Sequence, residues 1–345
     1  MYKRQVFSSS ELGAISYAGA CSSAKTSAVA GENEITLNHL NDGTYPDCEL
    51  KVTDVAGNTS VLALDSFTVD TVAPGVTITS QILSLTRDTT PSFVIDVSEL
   101  SMVAYSGSCS SSMTQVQSGS NEITLNALGD GTYSDCSIQL TDAIGNQGSL
   151  YPLGTFRVDT TPPSLNLTTP TTSLVNDPTP SFVFSSSEPG TIAYEGGCSS
   201  SVAEAVAGMH AITLNHLSDG QYTGCKLRVT DEAGNAEVLA LGSFTVDTIA
   251  PTITIATAIP LATNDNTPSF TIHLNEAGEA SYSGACSSTS TSVGIGDNTI
   301  VLHSLSDGNY SDCGLTITDA AGNAAQIGLG SFTIDTVPPL SLIHI

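Results

Sequence analysis

The chain has 345 residues, of which 34 are acidic and 8 basic, giving a formal net charge of −26, and it contains no tryptophan. Nucleic acids and anionic membrane surfaces are bound by clustered lysine and arginine, so this charge balance argues against both as partners. Apolar residues occur only in short runs, well below the roughly 18 consecutive apolar residues of a membrane helix. We therefore expect no membrane insertion within this sequence.

The sequence repeats itself with a period near 88 residues. Two series of cysteines show the period, each with successive spacings of 88, 89 and 88 residues. The members of each pair are 27 residues apart: Cys21 and Cys48, Cys109 and Cys136, Cys198 and Cys225, Cys286 and Cys313. A unit of this length is too long for a solenoid repeat and has the size of a small independent domain. Tandem copies of one domain are typical of proteins that need reach, valency or stiffness.

The two ends do not fit the repeat. MYKRQ (1–5) and LSLIHI (340–345) resemble the translated transposon end used to build sequencing libraries, so we interpret them as library scars and exclude them from fold reasoning. VFSSSE at 6–11 aligns with VFSSSE at 183–188, so the first repeat is expected to lack strand A and half of strand B. We thus expect a fragment of a longer protein. Its parts are a truncated repeat at 6–71, complete repeats at 72–160, 161–248 and 249–336, and the start of a further repeat at 337–339.

The second repeat gives the predicted strands in chain order. They cover 75–80, 91–99, 101–109, a short segment within 114–119, 121–128, 132–142 and 154–160. Phe93, Ile95 and Val97 alternate with polar residues, the pattern of a half-buried strand. Short strands, frequent turn signals and no helical periodicity predict an all-β fold. Each complete repeat is expected to be a seven-stranded antiparallel β-sandwich with strands A to G in immunoglobulin-like order.

The cysteines also indicate a compartment. Eight cysteines in matched pairs, in small domains with modest cores, predict disulfide bonds and therefore an oxidising, extracellular or bacterial cell-surface location. A metal site is the alternative for paired cysteines. It is disfavoured because no CxxC motif occurs and no histidine is present at an equivalent position in all four repeats.

Three motifs together resemble a known family. The TDxAGN loop, the DGxY turn before strand F and the closing SFTVDTxxP segment are similar to the bacterial immunoglobulin-like repeats of large surface adhesins and secreted repeat proteins, over residues 6–339. Antibody-type domains differ, because they have a tryptophan on strand C and join strands B and F. Here the first cysteine ends strand C, so we expect Cys109–Cys136 to join strand C to strand F at one pole, within or beside one sheet. Tyr133 would then face away from Cys136 unless a bulge intervenes.

This strand order gathers acidic side chains at one pole of each repeat, where strand A begins and the B–C and F–G loops lie. Each junction is expected to combine a linker aspartate, a B–C glutamate, and the Asp and Asn of the TDxxGN loop. The predicted sets are Asp70, Glu99, Asp142 and Asn146; Asp159, Glu188, Asp231 and Asn235; and Asp247, Glu276, Asp319 and Asn323.

Two interpretations of these sets remain open. Ca²⁺ takes six to eight oxygen ligands from carboxylates and carbonyls, and the resemblance implies calcium-stiffened junctions, as in some adhesins of this family and in cadherins. Alternatively, the aspartates accept backbone N–H groups in Asx-type turns and the glutamates are solvated. Calcium is the only cofactor we consider.

No catalytic arrangement is evident. The serines that follow each first cysteine have no recurring base, no aromatic sugar platform accompanies the carboxylates, and no GxSxG, HExxH or P-loop motif occurs. We predict a non-catalytic, semi-rigid stalk or adhesive array of a bacterial cell-surface adhesin. Its ligand would be a host-surface, glycan or protein partner, bound by the repeats or by a domain outside this sequence. The alternatives are spacer or accessory modules of a secreted multidomain enzyme, and carbohydrate binding by each repeat.

Overall fold

The computed structural model describes residues 4–339, and all the regular secondary structure in this range is β. Within these residues no helix is long and apolar enough to cross a membrane. The chain divides into two compact units, Met1–Thr160, which holds the first two repeats, and Thr161–Ile345, which holds the last two.

The first repeat contains three small sheets, in the orders β1-β4, β3-β2-β6-β7 and β5-β8. Its strands are β1 (Arg4–Ser9), β2 (Gly13–Ala18), β3 (Ser27–Ala28), β4 (Gly31–Thr36), β5 (Gly43–Tyr45), β6 (Glu49–Thr53), β7 (Thr59–Ala63) and β8 (Phe67–Val69).

The second repeat has two more strands than the first, and both precede its equivalent of β1. Its strands are β9 (Val76–Ser80), β10 (Leu85–Thr86), β11 (Ser92–Val97), β12 (Ser101–Ser106), β13 (Gln115–Val116), β14 (Gly119–Thr124), β15 (Gly131–Tyr133), β16 (Ser137–Asp142), β17 (Tyr151–Pro152) and β18 (Phe156–Val158). The sheet orders are β14-β11-β9, β13-β12-β16-β17 and β10-β18-β15. All pairs are antiparallel except β10 with β18.

The third and fourth repeats have the same strand order and the same three sheets. The strands of the third repeat are β19 (Leu165–Thr169), β20 (Leu174–Val175), β21 (Ser181–Ser186), β22 (Gly190–Glu195), β23 (Glu204–Ala205), β24 (Gly208–Thr213), β25 (Gly220–Tyr222), β26 (Lys226–Thr230), β27 (Ala236–Ala240) and β28 (Phe244–Val246). Those of the fourth are β29 (Ile253–Thr257), β30 (Ala262–Thr263), β31 (Ser269–Leu274), β32 (Gly278–Ser283), β33 (Ser292–Val293), β34 (Gly296–Val301), β35 (Gly308–Tyr310), β36 (Gly314–Thr318), β37 (Ala324–Gly328) and β38 (Phe332–Ile334).

Each repeat has its own hydrophobic core between its sheets. In the second repeat the core includes Phe93 and Ile95 of β11, Leu140 of β16 and Phe156 of β18, all almost fully buried. Alternation along β11 places Phe93 and Ile95 inward and leaves Ser92 and Asp96 in solvent. The predicted all-β, immunoglobulin-like sandwich is therefore confirmed.

The predicted sixth strand, 132–142, is two strands in the structure. β15 pairs with β18 in one sheet, whereas β16 pairs with β12 in another, so the chain changes sheets between Tyr133 and Ser137. This break lets Tyr133 stack on Phe156, with ring centroids 5.3 Å apart, while Cys136 is also buried. Tyr133 and Cys136 are three residues apart and would face opposite sides of a regular strand. Because the ladder is interrupted between them, both side chains reach the core.

Four disulfides are present, one in each repeat: Cys21–Cys48, Cys109–Cys136, Cys198–Cys225 and Cys286–Cys313. In the second repeat Cys109 follows β12 and Cys136 precedes β16, and these strands are neighbours, with Ser106 opposite Ser137. The bond therefore joins strands C and F at the end of one sheet.

One expectation about the first repeat is wrong. β1 has six residues and is as long as its equivalents, because Arg4 and Gln5 continue the ladder opposite Thr36 and Ile35. Ladder hydrogen bonds come from the backbone, so they tolerate side chains that do not match the repeat. Among residues 4–339, β1 pairs with β4 alone. Residues 1–3 and 340–345 of the suspected scars lie outside the described residues, and the origin of both segments stays a prediction.

Candidate metal centre at the starts of the second and fourth repeats

The TDxxGN loop is organised by its aspartate. The Oδ1 atom of Asp142 accepts hydrogen bonds from the backbone N–H groups of Ile144 (2.9 Å), Gly145 (2.6 Å) and Asn146 (2.8 Å). Its Oδ2 atom accepts a fourth from Asn146 Nδ2 at 2.7 Å. Gly145 has a φ of 105°, which favours glycine, so the sequence supplies both the acceptor and the backbone freedom that this loop needs.

The same aspartate–asparagine pair closes the F–G loop in the other repeats. Backbone and side-chain nitrogens of the asparagine donate to the aspartate in Asp54–Asn58, Asp231–Asn235 and Asp319–Asn323. The turn-cap interpretation is therefore correct for this position.

These hydrogen bonds set the ionisation of the buried aspartates. Burial by itself raises the pKa of Asp142. The hydrogen bonds from the side chain and backbone of Asn146 and from the backbone of Gly145 and Ile144 outweigh it and hold the pKa below its usual value. The pKa of Asp319 is lowered in the same way. Both groups are thus held as carboxylates, the form that a hard cation requires.

The loop asparagine also contacts the linker from the preceding repeat. Asn146 Nδ2 donates to the backbone carbonyl of Asp70 at 3.0 Å, and Asn323 Nδ2 donates to that of Asp247 at 2.8 Å. Asparagine was predicted as an oxygen ligand, and this second role of its nitrogen was missed. The fixed spacing of Asp and Asn in every repeat marks the pair, but it does not reveal that the amide reaches the linker.

Two of the three predicted acidic sets come together within their units. Single carboxylate oxygens of Asp70, Glu99 and Asp142 lie within 4.8 Å of one another. The equivalent oxygens of Asp247, Glu276 and Asp319 meet the same limit. In each triad the F–G aspartate is buried and the other two residues are half-buried.

Burial and the closeness of the three carboxylates raise the pKa of the glutamate in each triad. Burial, followed by repulsion from Asp70 and Asp142, raises the pKa of Glu99 above its usual value. Burial, followed by repulsion from Asp247 and Asp319, raises the pKa of Glu276. Each triad therefore brings like charges close together, and a bound cation would offset their repulsion.

The donor set of the triads suits calcium in kind. Three carboxylates supply hard oxygen atoms, which Ca²⁺ prefers, and the rest of a shell of six to eight ligands would come from carbonyls or water. The linker aspartate has a turn role as well, since Asp70 Oδ1 accepts the N–H of Val72 at 3.0 Å. Turn capping and metal binding are therefore not exclusive, because each carboxylate has lone pairs beyond those that its turn uses.

The remaining predicted set is divided between the two units. Asp159, in the first unit, is buried and forms an ion pair with Arg157 at 2.9 Å, a contact that sequence reasoning missed. Asp231 and Asn235, in the second unit, form the loop pair described above, and the backbone carbonyl of Glu188 accepts the hydroxyl of Ser186 at 2.6 Å. That these four residues form one site stays a prediction.

An antiparallel β-sandwich with this strand order is the architecture of the immunoglobulin-like class of modules. Within that class, residues 168–248 match the family model described as the bacterial Ig-like domain. This segment is therefore similar to that family, and the other repeats carry the same motifs and strand order. No catalytic family is identified, and the fold and disulfides are consistent with an extracellular protein.

The chain is also similar to solved structures at low identity. Invasin, a bacterial integrin-binding protein, is 12% identical over 94% of this chain and 72% of its own, with a TM-score of 0.31. The human desmocollin-1 ectodomain is 12% identical over 96% of this chain and 74% of its own, with a TM-score of 0.26. At such scores nothing about this chain follows from either protein. No curated protein matches the chain in sequence.

Proposed function

We propose that this chain is a non-catalytic extracellular repeat region, a semi-rigid stalk or adhesive array of a bacterial cell-surface adhesin. The observation that carries the proposal is that linkers between repeats are hydrogen-bonded from both sides. A linker held in this way transmits orientation from one repeat to the next, which is what a stalk requires.

The linker between the first and second repeats illustrates the arrangement. On the side of the first repeat, the hydroxyl of Thr71 donates to Asp42 in the turn before β5 at 2.9 Å. On the side of the second repeat, Asn146 Nδ2 donates to the carbonyl of Asp70 at 3.0 Å. Pro74 follows and fixes φ, so the linker has little freedom left.

The linker between the third and fourth repeats repeats this pattern. Thr248 donates through its N–H (3.1 Å) and its hydroxyl (2.8 Å) to Asp219 Oδ1, and Asn323 donates to the carbonyl of Asp247 at 2.8 Å. Two linkers in separate compact units thus make hydrogen bonds to equivalent residues. This agreement supports one common way of holding the linkers between these repeats.

Calcium is the second part of the proposal. Asp70, Glu99 and Asp142 belong to the linker, the B–C turn and the F–G loop, so one cation bound to all of them would join these segments and offset their repulsion. Asp247, Glu276 and Asp319 would act in the same way in the fourth repeat. The ion would supply charge neutralisation and a cross-link and no catalytic chemistry.

Thermal unfolding of the whole chain tests the calcium part. Millimolar Ca²⁺ should raise the melting temperature relative to EDTA, Mg²⁺ should not match it, and the double variant Glu99→Gln and Glu276→Gln should lose most of the shift. Binding at about 100 times Kd would stabilise by about 2.7 kcal/mol per site. The matched control, Asp96→Asn with Glu237→Gln, removes two exposed acids away from the triads and should keep the shift. An equal shift in both variants, or none in wild type, would refute calcium binding by the triads.

Small-angle X-ray scattering tests the stalk part independently of metal. In EDTA, Asn146→Ala with Asn323→Ala should broaden the distribution of interatomic distances, because each substitution removes a bond between a loop and its linker. Asn126→Ala with Asn215→Ala, which removes asparagines bonded to serines at the surface, provides the control. A wild-type profile as broad as that of the loop variant would show freely jointed repeats and contradict a stalk.

A further inference from the structure

We propose that the third repeat, residues 161–248, opens before the second and fourth repeats and gives the chain a defined place of early, limited extension. These three repeats have the same strands in the same order. Differences in their stability must therefore come from the side chains at equivalent positions. Four positions are less favourable in the third repeat than in the other two: Thr171, Ser186, Ala205 and His210.

Thr171 takes the place of an apolar core residue. Its equivalents are Ile82, which packs against the core of the second repeat, and Ile259, which is buried in the core of the fourth. Among the described residues, the Thr171 hydroxyl is the one buried side-chain oxygen or nitrogen without a hydrogen-bond partner. A buried polar group that has lost water and gained no partner destabilises the folded state.

Ser186 on β21 is a second polar residue at an apolar position. Its equivalents, Val97 and Leu274, are buried hydrophobic residues of the second and fourth cores. Ser186 is buried as well, and its hydroxyl donates to the backbone carbonyl of Glu188 at 2.6 Å. Its polar atom therefore has a partner, but the repeat lacks the apolar contacts that valine or leucine makes here.

Ala205 on β23 shortens a third core side chain. Its equivalents are Val116 and Val293, and all three residues are buried. One change acts in the opposite direction, because Phe184 on β21 occupies a position that is isoleucine in the other two repeats. The ring of Phe184 is fully buried and replaces part of the missing volume. It does not supply a partner for the Thr171 hydroxyl.

The turn between β23 and β24 is held by fewer bonds because of His210. In the second repeat the equivalent Asn121 accepts the N–H of Gln117 and donates to two backbone carbonyls of the turn. Asn298 makes the same three bonds in the fourth repeat. His210 Nε2 lies 3.2 Å from the nitrogen and 2.7 Å from the oxygen of Val206. A ring nitrogen either carries a proton or has a lone pair, so it can bond only one of these two groups.

The disulfide limits what this opening releases. Cys198–Cys225 closes a segment of 27 residues that contains β23, β24 and β25. Opening of the oxidised third repeat can therefore lengthen the chain only through the parts before Cys198 and after Cys225. The order of opening is a property of each repeat by itself, and only its use as an extensible segment of a stalk rests on the proposed function.

Hydrogen exchange of the oxidised whole chain, measured by mass spectrometry in EDTA, tests the proposal without any contribution from calcium. After correction for intrinsic rates, β21 and β26 should exchange at least about tenfold faster than β11 and β16, or β31 and β36. The repaired variant should bring the third repeat to the rate of the second; its changes are Thr171→Ile, Ser186→Val, Ala205→Val and His210→Asn. Thr172→Ile, the same change at the exposed neighbour of Thr171, is the matched control and should leave the order unchanged.

The reverse substitutions keep the test decisive if the added methyl groups overpack the core beside Phe184. Ile82→Thr with Asn121→His should raise exchange in β11 and β16 about tenfold and leave the fourth repeat unchanged. Exchange in the third repeat equal to or slower than that in the other two would overturn the proposal. So would an unchanged order of exchange in both the repaired and the reverse variant. The scattering experiment on the linkers tests the stalk separately, so either proposal can fail while the other stands.

Discussion

Mechanical unfolding should reveal the disulfide of each repeat as a missing length of chain. The bond Cys109–Cys136 closes a segment of 27 residues that contains β13, β14 and β15. A pulling force applied to the ends of the oxidised chain cannot extend this segment. It can extend only the portions of the second repeat before Cys109 and after Cys136.

The expected effect of reduction follows from chain geometry. Twenty-seven residues at roughly 3.3–3.6 Å each extend to about 90 Å, after subtraction of the 5.3 Å that already separates the two Cα atoms. The folded length is the same in both states and cancels from the difference. All four disulfides have a sequence separation of 27, so every unfolding step should lengthen by the same amount.

Single-molecule force spectroscopy measures this quantity directly. Unfolding steps recorded without reductant should each increase in contour length by about 90 Å when dithiothreitol is present. Replacing Cys109 and Cys136 by alanine should lengthen one step under oxidising conditions and leave the others unchanged. Steps that do not respond to reductant, or that lengthen by unequal amounts, would contradict the pairing of each cysteine with the one 27 residues away.

The remaining predictions concern the loop, the triad and one turn of the second repeat. Asn146→Ala should lower the free energy of unfolding in urea by about 1–3 kcal/mol, since it removes bonds to the Asp142 carboxylate and to the linker, whereas Asn126→Ala should have little effect. The pKa of Glu99 is raised in the folded state, so its contribution to stability is fully present below its unfolded pKa and is lost as pH rises through the folded pKa. In EDTA, Glu99→Gln should therefore gain in melting temperature over wild type as the pH rises through the titration of Glu99, and a pH-independent difference would contradict this. Gly107→Ala should destabilise more than Gly119→Ala. Both glycines have positive φ, but a Cβ on Gly107 would also clash with the Asp135 carbonyl, whereas one on Gly119 would meet open space; equal losses of unfolding free energy would remove the clash from the explanation.

The sequence was sufficient for the fold because several local signals agreed. Alternation of Phe93, Ile95 and Val97 marked a strand, and the Asp130-Gly131 turn separated two others. The spacing of the cysteines placed the disulfide between neighbouring strands. Signals of this kind involve residues close in sequence, and they remain readable without knowledge of tertiary contacts.

The change of sheet between β15 and β16 was harder to predict. The segment 132–142 has an uninterrupted strand composition, and only the offset of Tyr133 from Cys136 indicated a break. The break depends on pairing with β18 and β12, which come from distant parts of the repeat. Long-range pairing of this type is decided by packing, and strand propensity does not report it.

The sequence predicted which residues form the candidate site, but it did not predict what each of them contacts. Topology placed Asp70, Glu99 and Asp142 at one pole, and the structure brings their oxygens together. The direction in which the Asn146 amide points was beyond sequence reasoning. An amide has both donor and acceptor atoms, and its environment decides which of them is used.

These roles separate two contributions to the proposed stiffness of the junction. Asn146 bonds the aspartate that shapes the F–G loop and the carbonyl of the linker with the same nitrogen, so loop and linker are coupled without any ion. Glu99 contributes no comparable bond, and its proximity to Asp70 and Asp142 is unfavourable until a cation is bound. Loss of Asn146 should therefore loosen the junction at every calcium concentration, whereas loss of Glu99 should weaken the junction only when calcium is present and relieve repulsion when it is absent. If the proposed calcium role is correct, such a junction should keep its geometry in the absence of calcium and gain stability from it.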